Sequence, residues 1–135
     1  MNYTLNNKKN QGLTLSISTK KVNNKQGAGY VTEFTSTPID LTDNDNLKSI
    51  FSTYNYSFNY WGDKNTCSKD TYKGMYGIIL DIDDSMTIDE AKETFAEYKY
   101  IIHTSTSHQV HKGKLLPCDR FRVMLPFDPE KGLRF

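Results

Sequence analysis

Gly77-Ile78-Ile79-Leu80-Asp81-Ile82-Asp83-Asp84 is the stretch on which the reading of this 135-residue chain turns. A short apolar run bounded by glycine and charge reads as a buried strand, and the period of a strand puts Asp81 and Asp83 on one face. Two carboxylates aimed the same way are oxygen donors for a hard cation. Mg²⁺ or Mn²⁺ suits them, since these ions bind few carboxylates and complete their shells with water and substrate phosphates. A second apolar run, Tyr100-Ile101-Ile102, ends in His103-Thr104-Ser105-Thr106-Ser107-His108. A third, Asp119-Arg120-Phe121-Arg122-Val123-Met124-Leu125, places Arg120 and Arg122 on one face and Phe121, Val123 and Leu125 on the other. One face of that strand is therefore basic and the other belongs to a core. Carboxylates, hydroxyls with histidine, and arginines on successive strands are the set that metal-dependent phosphate chemistry draws on.

Between the first two runs lies Thr87-Ile88-Asp89-Glu90, a capping box in which the threonine hydroxyl and the glutamate carboxylate each satisfy a first-turn N–H. Ile88, Ala91, Phe95 and Tyr98 follow on one helical face, so this helix is amphipathic and must lie on a sheet. The second half of the chain thus reads β-α-β-β, with a basic loop from Gln109 to Pro117 before the last strand. In the first half, Leu13–Ser18 alternates as a half-buried strand, and a second short strand is expected over Tyr30–Thr35. Pro38 to Asp45 reads as a connector. Leu47, Ile50, Phe51 and Tyr54 mark a short helix with Asp43 as N-cap. The aromatic segment Tyr54–Trp61 is expected to supply core, because aliphatic residues are scarce there.

All eleven asparagines lie at or before Asn65. Composition therefore divides the chain into a polar, turn-rich part over 11–66 and a motif-bearing part over 67–135, with Met1 to Asn10 expected to be disordered. The length is that of a single domain. Net charge is +1, which excludes a global field for nucleic acid, but the distribution is uneven. Seven acids stand against Lys92 alone between Asp81 and Glu97, whereas six Lys or Arg oppose three acids from His108 onward. A cation and a polyphosphate bound side by side suit that pattern. Two cysteines, Cys67 and Cys118, form no framework, and no leader or spanning segment is evident; the expectation is a reduced, cytoplasmic setting without a membrane partner.

Over residues 75–126 the three motifs, in order and spacing, resemble the archaeo-eukaryotic primase superfamily, in particular the primase-polymerases of phages and plasmids. Leu80-Asp81-Ile82-Asp83 is similar to that family's first motif and Thr104-Ser105-Thr106-Ser107-His108-Gln109 to its Ser/His motif; Asp119–Pro126 supplies the following strand. The resemblance implies an α+β fold, with a small N-terminal α/β unit and an RNA-recognition-motif-like β-α-β-β unit that this chain leaves incomplete. It implies a nucleotidyltransferase of DNA replication, a primase or DNA polymerase. Asp81 and Asp83 would hold the catalytic Mg²⁺ or Mn²⁺; His108, with Ser105 or Ser107, would contact the nucleoside triphosphate. Single-stranded DNA template and a helicase or other replication protein would be the partners.

Charge adds Arg120 and Arg122 to the phosphate contacts, with Lys112 and Lys114 as weaker nucleic-acid contacts. The family also needs a third acid on a later strand. Asp128 sits in what reads as a turn, so the chain is expected to be the front portion of a longer catalytic domain and inactive alone. Two alternatives stand beside this one. A haloacid-dehalogenase-like phosphohydrolase would use Asp81 as nucleophile and Asp83 as acid/base, and a non-catalytic nucleic-acid-binding module would need neither.

Overall fold

The computed structural model describes residues 3–6, 13–22, 31–111, 113–114 and 116–127. The elements, in chain order, are β1 (Tyr3–Asn6), β2 (Leu13–Ser18), β3 (Glu33–Ile39), α1 (Asn44–Thr53), β4 (Tyr56–Ser57), β5 (Asn59–Tyr60), β6 (Lys64–Thr66), β7 (Gly74–Met75), β8 (Gly77–Asp83), α2 (Ile88–Thr94), β9 (Tyr100–Thr104) and β10 (Arg120–Pro126). The protein is α+β. Its chain forms two compact units, one of residues 1–10 with 78–126 and the other of 11–77 with 127–135. The division falls at 77/78, where composition changes at 66/67. The first residues join the motif-bearing unit: Tyr3–Asn6, expected to be disordered, is a strand paired antiparallel with β9.

The motif-bearing unit is a four-stranded sheet in the order β1-β9-β10-β8. The expected β-α-β-β sequence of elements is present, and β10 lies between the two strands that α2 connects. This is a split β-α-β arrangement. α2 starts where the capping box places it: the Thr87 hydroxyl accepts from the Glu90 N–H, and the Glu90 carboxylate accepts from the Thr87 N–H at 2.7 Å. Ala91 of α2 packs into a core with Tyr100, Ile102, Phe121 and Val123, and Leu80, Ile82, Ile88, Phe95 and Leu125 surround it. The helix stops at Thr94, one turn short of Tyr98, which is exposed because it lies beyond the amphipathic face.

β8 differs from the expected buried strand. It is the edge of the sheet, and Ile78 is 46% exposed. The fully enclosed apolar run is instead Tyr100–Thr104 of β9, an inner strand with every residue buried. Both runs are dense in isoleucine, and position in the sheet decides which one is covered.

In the other unit, β2 lies between β4 and β3, with β6 beyond β3, and β5 pairs with β7. Leu13 and Leu15 are buried as the alternation predicts. Ser16 and Ser18 are buried too, because their hydroxyls donate to the carbonyls of Asn59 and Lys20. β3 runs on through Pro38, which the sequence places in a connector. β6 flanks only Glu33–Thr35, so the missing N–H of Pro38 leaves no ladder bond unmade. Tyr30 and Asp128 lie outside the described residues. α1 is capped by Asp43, whose carboxylate accepts from Asn46 N–H, and it buries Leu47, Ile50 and Phe51. The aromatic segment packs as expected: Phe58 is buried, Tyr56 meets Phe51 edge-on at 5.3 Å, and Trp61 tilts against Phe34 at 5.0 Å.

Candidate functional site

Every described residue that the sequence nominates lies in the motif-bearing unit; Lys112 lies outside the described residues. Leu80 and Ile82 pack toward α2, so strand alternation turns Asp81 and Asp83 to the opposite face of the sheet. The same alternation on β10 sends Phe121 and Val123 to the helix and Arg120 and Arg122 to the carboxylates. Arg122 Nε donates to Asp81 Oδ1 at 3.3 Å, and Arg120 Nε lies 2.6 Å from Asp83 Oδ1. Residue numbers rise along β8 as they fall along β10, as between antiparallel neighbours.

The two rows extend onto β9. His103 is the register partner of Arg122, and Ser105 N–H donates to Arg120 carbonyl at 2.9 Å. Asp81, Arg122 and His103 thus form one row across three strands, and Asp83, Arg120 and Ser105 the next. Exposure falls along the first row, from the Asp81 side chain at 73% through Arg122 at 41% to buried His103; in the second, Asp83 is 52% exposed, Arg120 only 2%, and Ser105 is half-buried. His103 Nδ1 lies 3.3 Å from the Thr104 carbonyl, which can only accept, so this nitrogen carries the proton. Burial pushes the His103 pKa down to about 4; the Thr104 bond and the Asp81 charge oppose the shift, and the Arg122 charge adds to it.

Arg120, nominated as a phosphate contact, is enclosed. Its Nη1 donates to the carbonyls of Ser107 at 2.8 Å and Val110 at 2.7 Å, and Nη2 donates to Leu116 carbonyl at 3.2 Å. Its Nε has the close ion pair with Asp83 but is out of line for a hydrogen bond. Nothing in the spacing of the sequence distinguishes Arg120 from Arg122. The difference comes from the segment between β9 and β10, which folds over one guanidinium and leaves the other partly open.

That segment begins as a tight turn, with His108 N–H donating to Ser105 carbonyl and Val110 N–H to Ser107 carbonyl, both at 3.2 Å. Gln109 takes a left-handed φ of 54°, its N–H reaching Cys118 carbonyl and its side-chain amide reaching Asp119 Oδ1 at 2.6 Å. The other Asp119 oxygen accepts from Ile88 N–H at 2.9 Å, in the first turn of α2. Asp119 is a structural residue that sequence reading missed, since a lone aspartate before a strand carries no signal of a helix elsewhere. His108 is half-buried, and its Nδ1 accepts from Arg120 N–H at 3.2 Å. With Nδ1 taken up as an acceptor, the ring N–H is at Nε2. Ser105 and Ser107 hydroxyls are 3.1 Å apart. Lys114 is exposed farther along the same segment.

Among the described residues no group of three or more His, Cys, Asp or Glu is placed to hold a metal ion. Asp81 and Asp83 alone supply two carboxylates, each beside a guanidinium that competes for it. That donor set fits a cation delivered with its own phosphate ligands better than one held by protein alone. Comparison of the chain with protein families, with curated proteins and with solved structures finds no match.

Proposed function

We propose that the motif-bearing unit is the nucleotide-binding face of a metal-dependent nucleotidyltransferase of the DNA primase or polymerase type. The observation that carries this reading is the joining of two exposed carboxylates, one partly open arginine and a Ser/His turn on a single sheet face of split β-α-β order. The likeness of its three motifs to those of archaeo-eukaryotic primases supports the same reading. Asp81 and Asp83 would hold Mg²⁺ or Mn²⁺, which when bound neutralises triphosphate charge and stabilises the attacking and leaving oxygens of the transfer. Arg122 would lie against the phosphates, and the Nε2–H of His108 is a donor suited to a phosphate oxygen. Single-stranded DNA would be the template, and a helicase or other replication protein the partner. No helix among the described residues is long and apolar enough to cross a membrane.

The test is a titration of Mn²⁺, with and without a non-hydrolysable deoxynucleoside triphosphate, into the protein and an Asp81→Asn/Asp83→Asn variant. The reading expects metal binding that the triphosphate tightens and the variant loses. Equal binding by both proteins would reject it. Phosphate release from a phosphomonoester that depends on Asp81 as nucleophile would favour the phosphohydrolase alternative. Among the described residues this face carries two acids placed together, so the protein is expected not to extend a primer by itself; template-dependent incorporation would show that a third acid has been missed.

A further inference from the structure

Arg120 is an arginine enclosed within a face otherwise graded toward solvent, and its hydrogen bonds go to backbone carbonyls. Those acceptors belong to Ser107, Val110 and Leu116, three points along one loop, while its Nε closes on Asp83. A planar guanidinium can satisfy several fixed acceptors together; a lysine ammonium is a flexible point charge and cannot reproduce that fork. The Arg120 main chain completes the arrangement, with its N–H on His108 Nδ1 and its carbonyl accepting from Ser105 N–H. One residue therefore ties down Ser107, Val110 and Leu116 and sets which ring nitrogen of His108 accepts.

We infer that Arg120 is the positioning residue of this site: it couples Asp83 to Ser107, Val110 and Leu116 and aims His108 with Nδ1 as acceptor and Nε2–H as the donor. This deepens the nucleotidyltransferase reading, on which its consequence for ligand binding rests. Arg120 touches no phosphate; its effect reaches the ligand through His108.

The experiment has a structural arm and a binding arm. In wild-type protein labelled with ¹⁵N, the His108 ring should show the Nε2–H tautomer, and the amides of His108, Gln109 and Val110 should be protected from exchange. In Arg120→Lys those amides should exchange about tenfold faster or more, the factor expected on losing a hydrogen bond to a charged group, and the single-tautomer signature should fade. Amides of Ile101 and Ile102 in β9 report whether the sheet is intact, and Arg120→Gln serves as a second variant if the lysine form does not fold. Wild-type His108 in the Nδ1–H tautomer, or a loop unchanged by either variant, would overturn the inference. In the binding arm, Arg120→Lys and His108→Ala should weaken binding of the magnesium complex of a non-hydrolysable deoxynucleoside triphosphate, and the double variant should be no weaker than His108→Ala. Additive losses would mean that Arg120 meets the ligand directly and would also overturn it. If wild type binds no triphosphate, the nucleotide reading fails, and the structural arm still decides the role of Arg120.

Discussion

Acidification should destabilise this protein through His103. The imidazole is buried in the row behind Asp81 and Arg122, with its folded-state pKa near 4 against 6.5 for a free histidine. A lowered folded-state value means that between those limits the unfolded chain binds a proton which the folded one refuses. Stability therefore rises with pH across this window and is lost as pH falls, while above pH 6.5 both states are neutral and the group contributes nothing. Each unit of difference is worth about 1.4 kcal/mol, so the loss relative to pH 8 is about 2 kcal/mol at pH 5 and about 3 kcal/mol at pH 4.

The assay is urea unfolding at a series of pH values for wild type and His103→Gln, whose neutral amide can still donate to the Thr104 carbonyl. Carboxylates titrate in both proteins and cancel in the difference. The variant should lose about 2 kcal/mol less than wild type between pH 7 and pH 5. Parallel curves would refute the reasoning: they would mean that His103 is protonated within the fold, with the Asp81 carboxylate outweighing burial.

Three further outcomes follow from single contacts. Phe121→Ala empties the centre of the core under α2 and should cost about 3 to 5 kcal/mol in chemical unfolding. Asp119→Ala removes acceptors from Ile88 N–H and the Gln109 amide together, and should cost about 1 to 2 kcal/mol with faster exchange at Ile88 as its local signature. In calorimetry with a magnesium-bound, non-hydrolysable triphosphate, Arg122→Ala and His108→Ala should each weaken binding by about 1.5 to 3 kcal/mol; unchanged affinity for both would remove the phosphate role.

Local signals carried the elements. A capping box names its own helix because both hydrogen bonds lie within four residues, and Asp43 names the other by the same logic. The pairing of acids with arginines was half visible, since a period of two puts each pair on one face of its strand. Their meeting depends on β10 lying beside β8, a long-range fact that local pattern does not contain. Burial was the least legible quantity. Ile78 and Ile101 head similar apolar runs, yet one is at an edge and the other inside, and the charge of Arg120 gave no warning that a loop closes over it. Tyr3–Asn6 is short and polar enough to read as disordered, and only an unpaired edge of β9 makes it a strand.

The gradient across the face decides where a ligand can approach. Asp81 and Arg122 form the more open pair; in the other pair Asp83 is half-exposed and Arg120 is closed off. A cation reaching Asp81 would meet the more open of the two guanidinia, that of Arg122. A cation reaching Asp83 competes with a guanidinium whose other hydrogen bonds hold it under the loop. On the proposed reading the two carboxylates, alike in sequence, are therefore unequal partners: Asp81, beside the more open arginine, would be the one to exchange its guanidinium for metal. Asp81→Asn should accordingly reduce Mn²⁺ binding more than Asp83→Asn, and the reverse order in a titration of the two single variants would show that the loop, and with it Arg120, gives way when metal binds.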